Sequence, residues 1–98
     1  MYKYGKIDFE WDSSKEEENI LKHKITFAEA VETFFDPSGI QLNDNKHSEN
    51  EARFYWIGKS EQKKILTTRF TIRGNVIRII GAAEWRKFKR IYETTKIE

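Results

Sequence analysis

The residues best equipped for chemistry are three arginines, Arg69, Arg73 and Arg78, and a histidine, His47. The arginines lie in TRFTIRGNVIRIIGAAEWRKFKRIYE, residues 68–93, where seven Lys or Arg meet two acids and neither acid precedes Glu84. A guanidinium offers a planar fork of donors that matches phosphate geometry. Two explanations stand side by side: a polyanion bound across the arginines, or neutralisation by acids of the first half, such as Glu16, Glu17 and Glu18. His47 sits in a polar stretch, where it can work as general acid or base near its unperturbed pKa of about 6.5 or simply be solvated. His23, beside Lys22 and Lys24 at an expected helix end, reads as a cation that favours the helix dipole and binds the last carbonyls. Lys59 is expected at the tip of a strand turn. Tyr92 shares helical spacing with Trp85 and Phe88, so core packing is its first role.

Regular elements must hold these side chains in place. KIDFEW, residues 6–11, alternates Ile7, Phe9 and Trp11 with charged residues and predicts a half-buried strand. Asp12 or a following serine can cap a helix over about residues 14–23, with Glu16, Glu17 and Glu18 in its first turn. Thr26 and Glu29 read as a capping box, and Phe27, Ala30, Val31, Phe34 and Phe35 predict one amphipathic helix that ends at DPSG, residues 36–39. QLNDNKHSENEA, from residue 41, shows no periodicity and reads as an exposed loop. From Arg53 onward the chain predicts strands RFYWIGKS, KILTTRFTIR and NVIRIIGA. Gly74-Asn75 suits a two-residue hairpin turn. That turn places Arg73 opposite Val76, Thr71 opposite Arg78 and Arg69 opposite Ile80. Arg69, Arg73 and Arg78 then share one face, with Arg78 diagonal to the other two at about 7–8 Å. Leu66, Phe70, Ile72, Ile77 and Ile79 occupy the other. A last helix carries Trp85, Phe88 and Tyr92 on one side, and Arg86, Lys87, Lys89 and Arg90 on the remainder.

The 98 residues suffice for one hydrophobic core and not for two, so a single domain over 1–98 is expected. No apolar run approaches the roughly 18 residues of a membrane span, and the N-terminus has no signal-peptide h-region; a soluble cytoplasmic protein is expected. There is no cysteine and there are two histidines, which speaks against disulfides, a structural zinc site or another metal. Residues 1–50 hold 6 Lys/Arg against 11 Asp/Glu, net −5, and residues 51–98 hold 12 against 5, net +7. That asymmetry fits a polyanionic partner or mutual neutralisation of the halves.

FEWDSSKEEENILKHKITFAEA (9–30), DNKHSENEARFYWIGKS (44–60) and RGNVIRIIGA (73–82) resemble, in order and spacing, the BrnT toxins of bacterial type II toxin-antitoxin pairs. Trp11, Asp12, Lys15, Asn19, Lys22 and His23 match one block of the family pattern. His47, Ser48, Glu51, Arg53, Ile57 and Gly58 match a second, and Arg73, Arg78, Ile79 and Ile80 a third. Two positions depart: Lys24 stands where the family commonly has Gly, and Gly81-Ala82-Ala83 replaces a common Ser-Ala-Arg.

The resemblance implies an α+β, RelE-like ribonuclease fold, an antiparallel sheet with two N-terminal helices and a C-terminal helix packed on one side. It also implies an endoribonuclease that uses no metal or other cofactor and arrests translation and growth until a ribbon-helix-helix antitoxin, similar to BrnA, binds it. Promoter DNA is then reached only through the antitoxin. Cleavage needs a base for the 2′-hydroxyl, cations for the developing charge and an acid for the leaving oxygen. Arg73, Arg78 and His47 are the expected catalytic group. Arg53, Lys59, Arg69, Lys22, His23 and Tyr92 are expected on the RNA, Tyr92 as a stacking or proton-donating group. The same residues also serve two other readings, a non-catalytic RNA- or ribosome-binding module and a domain that seats an acidic protein partner.

Overall fold

The computed structural model describes residues 2–48 and 50–96. Strands β1 (Tyr2–Tyr4) and β2 (Ile7–Trp11) form a hairpin that turns at Gly5, whose φ of +64° suits a residue without a side chain. The alternation in β2 works as the pattern requires: Phe9 is fully buried, and Ile7 and Trp11 pack on the same core. Asp12 caps α1 (Ser13–His23), its carboxylate accepting from Ser14 N at 2.9 Å. The helix ends at Lys24, which adopts a left-handed conformation (φ 60°) and donates its N–H to Ile20 O.

Thr26 Oγ1 accepts from Glu29 N at 3.1 Å and starts α2 (Phe27–Glu32). Only this half of the expected capping box forms as a bond, because the Glu29 carboxylate turns away to Ser60 Oγ at 3.1 Å and Lys64 at 3.9 Å. The amphipathic segment is also not one α-helix to Phe35. It tightens into a 3-10 turn at Thr33–Phe35, where Thr33 O is taken by Trp56 Nε1 (2.6 Å) and by Asp36 N (3.2 Å) just before Pro37 ends the segment. Phe35 is consequently exposed.

The remaining strands are β3 (Ile40–Asn43), β4 (Arg53–Lys59), β5 (Ile65–Arg73) and β6 (Val76–Ala83), followed by α3 (Arg86–Lys96). The segment expected to be loop from residue 41 begins inside β3. Ile40 and Leu42 of β3 pair with Ile57 and Tyr55, so a short edge strand forms from cross-strand contacts rather than from its own pattern. The sheet runs β1-β2-β6-β5-β4-β3 and is mixed, not antiparallel, because β2 lies parallel to β6.

α2 and the 3-10 turn cover one face of the sheet, over Phe9, Leu66, Phe70 and Ile79. α3 packs on the other face, where Phe88 lies 4.9 Å and Trp85 6.4 Å from the Tyr55 ring. Helices therefore sit on both faces, which corrects the one-sided arrangement that the resemblance implied. The β2–β6 ladder stops at Ile79, and α1 takes over along the exposed edge of β6: Asn19 Oδ1 accepts from Ala82 N at 3.0 Å while its Nδ2 donates to Ile25 O at 3.0 Å.

Candidate functional site

The β5–β6 hairpin turns at Gly74 (φ +62°) and sets Arg73 against Val76 and Thr71 against Arg78. Beyond that a bulge intervenes. Arg69 pairs with Gly81, and Ile80 is the extra residue on β6, so the expected Arg69–Ile80 pair does not form. The three arginines nevertheless share one face of the sheet. Register brings Arg53 and Tyr55 of β4 onto it as well, with Tyr55 directly across from Arg69.

Two of these arginines have carboxylate partners. Arg73 donates through Nε and Nη2 to Glu51 at 3.2 and 3.0 Å, and Arg78 Nη1 lies 3.3 Å from Glu10. Glu51 is held below the ordinary carboxylate range first by that bond from Arg73, with burial opposing it and the charges of Arg73, Arg53 and Arg78 each adding a smaller pull downward. The acids that answer the arginines are therefore Glu10 and Glu51. Of the helix acids, Glu16 instead accepts from Trp11 Nε1 (3.2 Å) and Phe27 N (2.8 Å).

His47 lies in a 3-10 turn (Asn45–His47) after β3, and its Nδ1 sits 2.9 and 3.1 Å from the two carboxylate oxygens of Asp44. Asp44 is 4 % exposed, whereas the His47 side chain is 48 % exposed. The turn is fixed from behind: Asp44 N donates to Arg53 O, Ser48 Oγ donates to Asp44 O, and Arg53 N donates to Ser48 Oγ. His47 lines a concavity of about 320 Å³ together with Lys46, Asn50, Glu51 and Arg53. Arg53 Nε is buried without a hydrogen-bond partner among the described residues. The Tyr55 hydroxyl is pushed above its ordinary range by burial and by Asp44, with Arg69 opposing. Tyr55 therefore lies directly across from Arg69 and feels the charge of Asp44.

On the other side of Arg69, α1 supplies Lys15, Asn19, Lys22 and His23 to a smaller cleft of about 140 Å³, which Glu18, Ile80 and Gly81 complete. Guanidinium and ammonium groups of this kind can bind phosphate oxygens.

Residues 11–88 match the family model described as the ribonuclease toxin, BrnT, of type II toxin-antitoxin systems. The chain belongs to the BrnT family. The crystal structure of the Brucella abortus ribonuclease toxin BrnT shares the fold, with a TM-score of 0.63 over 81 % of this chain and 96 % of that one, at 22 % identity. No curated protein matches the sequence significantly.

For a BrnT-family chain, the structure divides the expected site residues into two groups. His47, Arg53, Arg69, Arg73, Arg78, Lys22 and His23 gather on the strand face and its flanking clefts. Tyr92 does not join them: it is 1 % exposed, and its hydroxyl donates to Asp36 at 2.5 Å, anchoring α3. Lys59 closes β4 and donates its backbone N–H to the same Asp36 carboxylate, in a separate concavity with Glu61 and Lys63. His23 makes no side-chain hydrogen bond to the helix carbonyls among the described residues; Lys24 N serves Ile20 O instead. Sequence reasoning missed Tyr55 and Asp44. Alternation from Arg53 would have put Tyr55 on the arginine face, whereas only the folded turn brings Asp44 beneath His47. Position 83, where the family commonly has Arg, is a buried Ala83 in this chain.

Proposed function

We propose that the chain is a metal-independent endoribonuclease toxin of RelE-like architecture that cleaves RNA in the cytoplasm and arrests translation and growth until its antitoxin binds. The observation that carries this reading is His47, held through Nδ1 by buried Asp44 in the concavity that Glu51 and Arg53 line. With Nδ1 committed to a carboxylate, Nε2 is the nitrogen left for proton transfer. It would take the 2′-hydroxyl proton as the 2′-oxygen attacks phosphorus. The phosphorus–5′-oxygen bond breaks, giving a 2′,3′-cyclic phosphate, and the leaving 5′-oxygen takes a proton from solvent water to become a 5′-hydroxyl. Arg73, Arg78 and Arg53 stabilise the charge that grows on the phosphate. Arg69, Lys22 and His23 extend the contact along the strand. A ribbon-helix-helix antitoxin would neutralise the toxin by covering the arginine face, and the pair would reach promoter DNA through the antitoxin.

The test is cleavage of RNA by the purified chain in EDTA, repeated with His47→Ala. Cleavage that survives chelation and is lost with His47 supports the reading. Intact RNA with the protein in excess would reject it in favour of a binding module. Induction of the chain should stop growth, and the product of the adjacent reading frame should restore it.

A further inference from the structure

The cleft beside α1 poses a problem of charge. Lys15, Lys22 and His23 from α1 and Arg69 from β5 meet around about 140 Å³, with Glu18 as the one acid in the lining. Unlike Arg73 and Arg78, Arg69 has neither an ion pair nor a side-chain hydrogen bond among the described residues, and the same holds for Lys15 and Lys22. Lys15 and Lys22 are exposed side chains that take no part in the core. Lys15, Asn19, Lys22 and His23 recur at i, i+4, i+7 and i+8, a single stripe of the helix. Of that stripe only Asn19 serves the fold, tying Ala82 N and Ile25 O.

The cleft is also framed. At Gly81 a Cβ would come within 3.3 Å of Arg69 Nη2, so the guanidinium packs closely over the glycine. Asn19 Oδ1 stands on the same spot, 3.7 Å from that position, and holds the neighbouring backbone still. The volume falls below the roughly 300–1,000 Å³ of pockets that take drug-sized ligands. It suits one tetrahedral oxyanion better than a nucleobase or a peptide segment.

We propose that this cleft is a seat for a single phosphate group of the bound RNA strand, distinct from the phosphodiester cleaved at His47. Its occupant would sit against Lys15, Lys22 and Arg69 and stabilise the folded chain by binding to it. That the phosphate belongs to RNA rests on the proposed function; that the cleft takes phosphate does not. RNA is preferred over an acidic side chain of a protein partner because Arg69 lines the cleft and also stands on the arginine face.

Thermal melts of the purified chain in inorganic phosphate and in chloride, at matched ionic strength, read the seat directly. A 2′-deoxy oligonucleotide, which cannot be cleaved through a 2′-hydroxyl, reads the strand without chemistry. The variants are Lys22→Ala and Arg69→Ala, with Lys87→Ala on α3 as control. Lys22 is exposed, so its variant should fold even if Arg69→Ala does not. In chloride, Lys22→Ala is expected to melt close to the wild type, because the side chain is exposed. Phosphate should raise the melting temperature of the wild type and of Lys87→Ala but not of Lys22→Ala. Oligonucleotide affinity should fall roughly tenfold in Lys22→Ala, the effect of one charge-assisted contact. Equal stabilisation of Lys22→Ala by phosphate would overturn the seat, as would a Lys22→Ala protein that melts well below wild type in chloride. Loss of the phosphate effect with unchanged oligonucleotide affinity would overturn the assignment to RNA and point to an acidic partner side chain. A chain that binds in this way yet leaves RNA intact would refute cleavage and keep the seat.

Discussion

Arg73 and Glu51 are locked at two points, with Nε and Nη2 each on one carboxylate oxygen at 3.2 and 3.0 Å. The acid comes from the turn before β4 and the base from the end of β5, so the clamp fixes the rim of the His47 concavity to the arginine face. It also means that removing Arg73 uncovers a negative charge beside the arginine face.

Arg73→Ala should accordingly lose RNA cleavage or binding by tenfold or more, and Arg73→Ala combined with Glu51→Ala should lose less than Arg73→Ala alone. A double-mutant cycle on cleavage rates measures the coupling. Additive losses would show that Glu51 does not act through Arg73. Both side chains are solvent-facing, so the melting temperature should move little in either variant. Ile79→Ala is the contrast: Ile79 is 1 % exposed in the core, and its truncation should cost about 2–5 kcal/mol by leaving a cavity.

Asp44 should matter for rate rather than for affinity. Asp44→Ala is expected to lower kcat by roughly a hundredfold or more with KM nearly unchanged, because the Nδ1 bond that orients His47 is gone. Nitrogen NMR of the His47 ring gives an independent reading: the neutral form should carry its proton on Nδ1 in the wild type and shift toward Nε2 in Asp44→Ala. An Nε2–H ring in the wild type would remove Asp44 from the mechanism.

Tyr92 predicts a specific loss of stability at alkaline pH. Burial first, and then its bond to the Asp36 carboxylate, push the phenol up to about 12 from its ordinary 10. The folded state therefore keeps a proton that the unfolded chain releases between these values. The contribution is fully present below pH 10 and is lost as pH rises through about 12, on the order of 2–3 kcal/mol across the window. Denaturant melts at several pH values should show this slope in the wild type and not in Tyr92→Phe. RNA cleavage at neutral pH should survive in Tyr92→Phe, since the residue lies apart from the site.

Lys24 carries a left-handed backbone at the end of α1, with φ 60°. Glycine occupies that conformation without the Cβ clash, so Lys24→Gly should raise stability by about 0.5–1 kcal/mol in a thermal or urea melt. A destabilised variant would mean that the lysine side chain contributes more than the backbone strain costs.

Local chemistry made much of this protein legible from its sequence. Asp12 and Thr26 cap helices, Gly74-Asn75 fixes the hairpin, and alternation sorts Phe70, Ile77 and Ile79 from Arg69, Arg73 and Arg78, because each of these signals acts within a few residues of the chain. The family blocks were legible too, since they are runs of residue types at set spacing. What the sequence left undecided depends on elements far apart in the chain. The bulge at Ile80, the parallel pairing of β2 with β6, the strand at Ile40–Asn43 and the placement of α3 opposite α2 are settled by which partner each backbone edge and apolar face finds. The same holds at the site. The sequence determined that the second half would be cationic and carry arginines on one strand face. Only the tertiary structure decided that Glu51 and Glu10 would meet Arg73 and Arg78, that Asp44 would hold His47, and that Arg69 would be left to Lys15 and Lys22, because charges pair by distance in space and not by position in the chain.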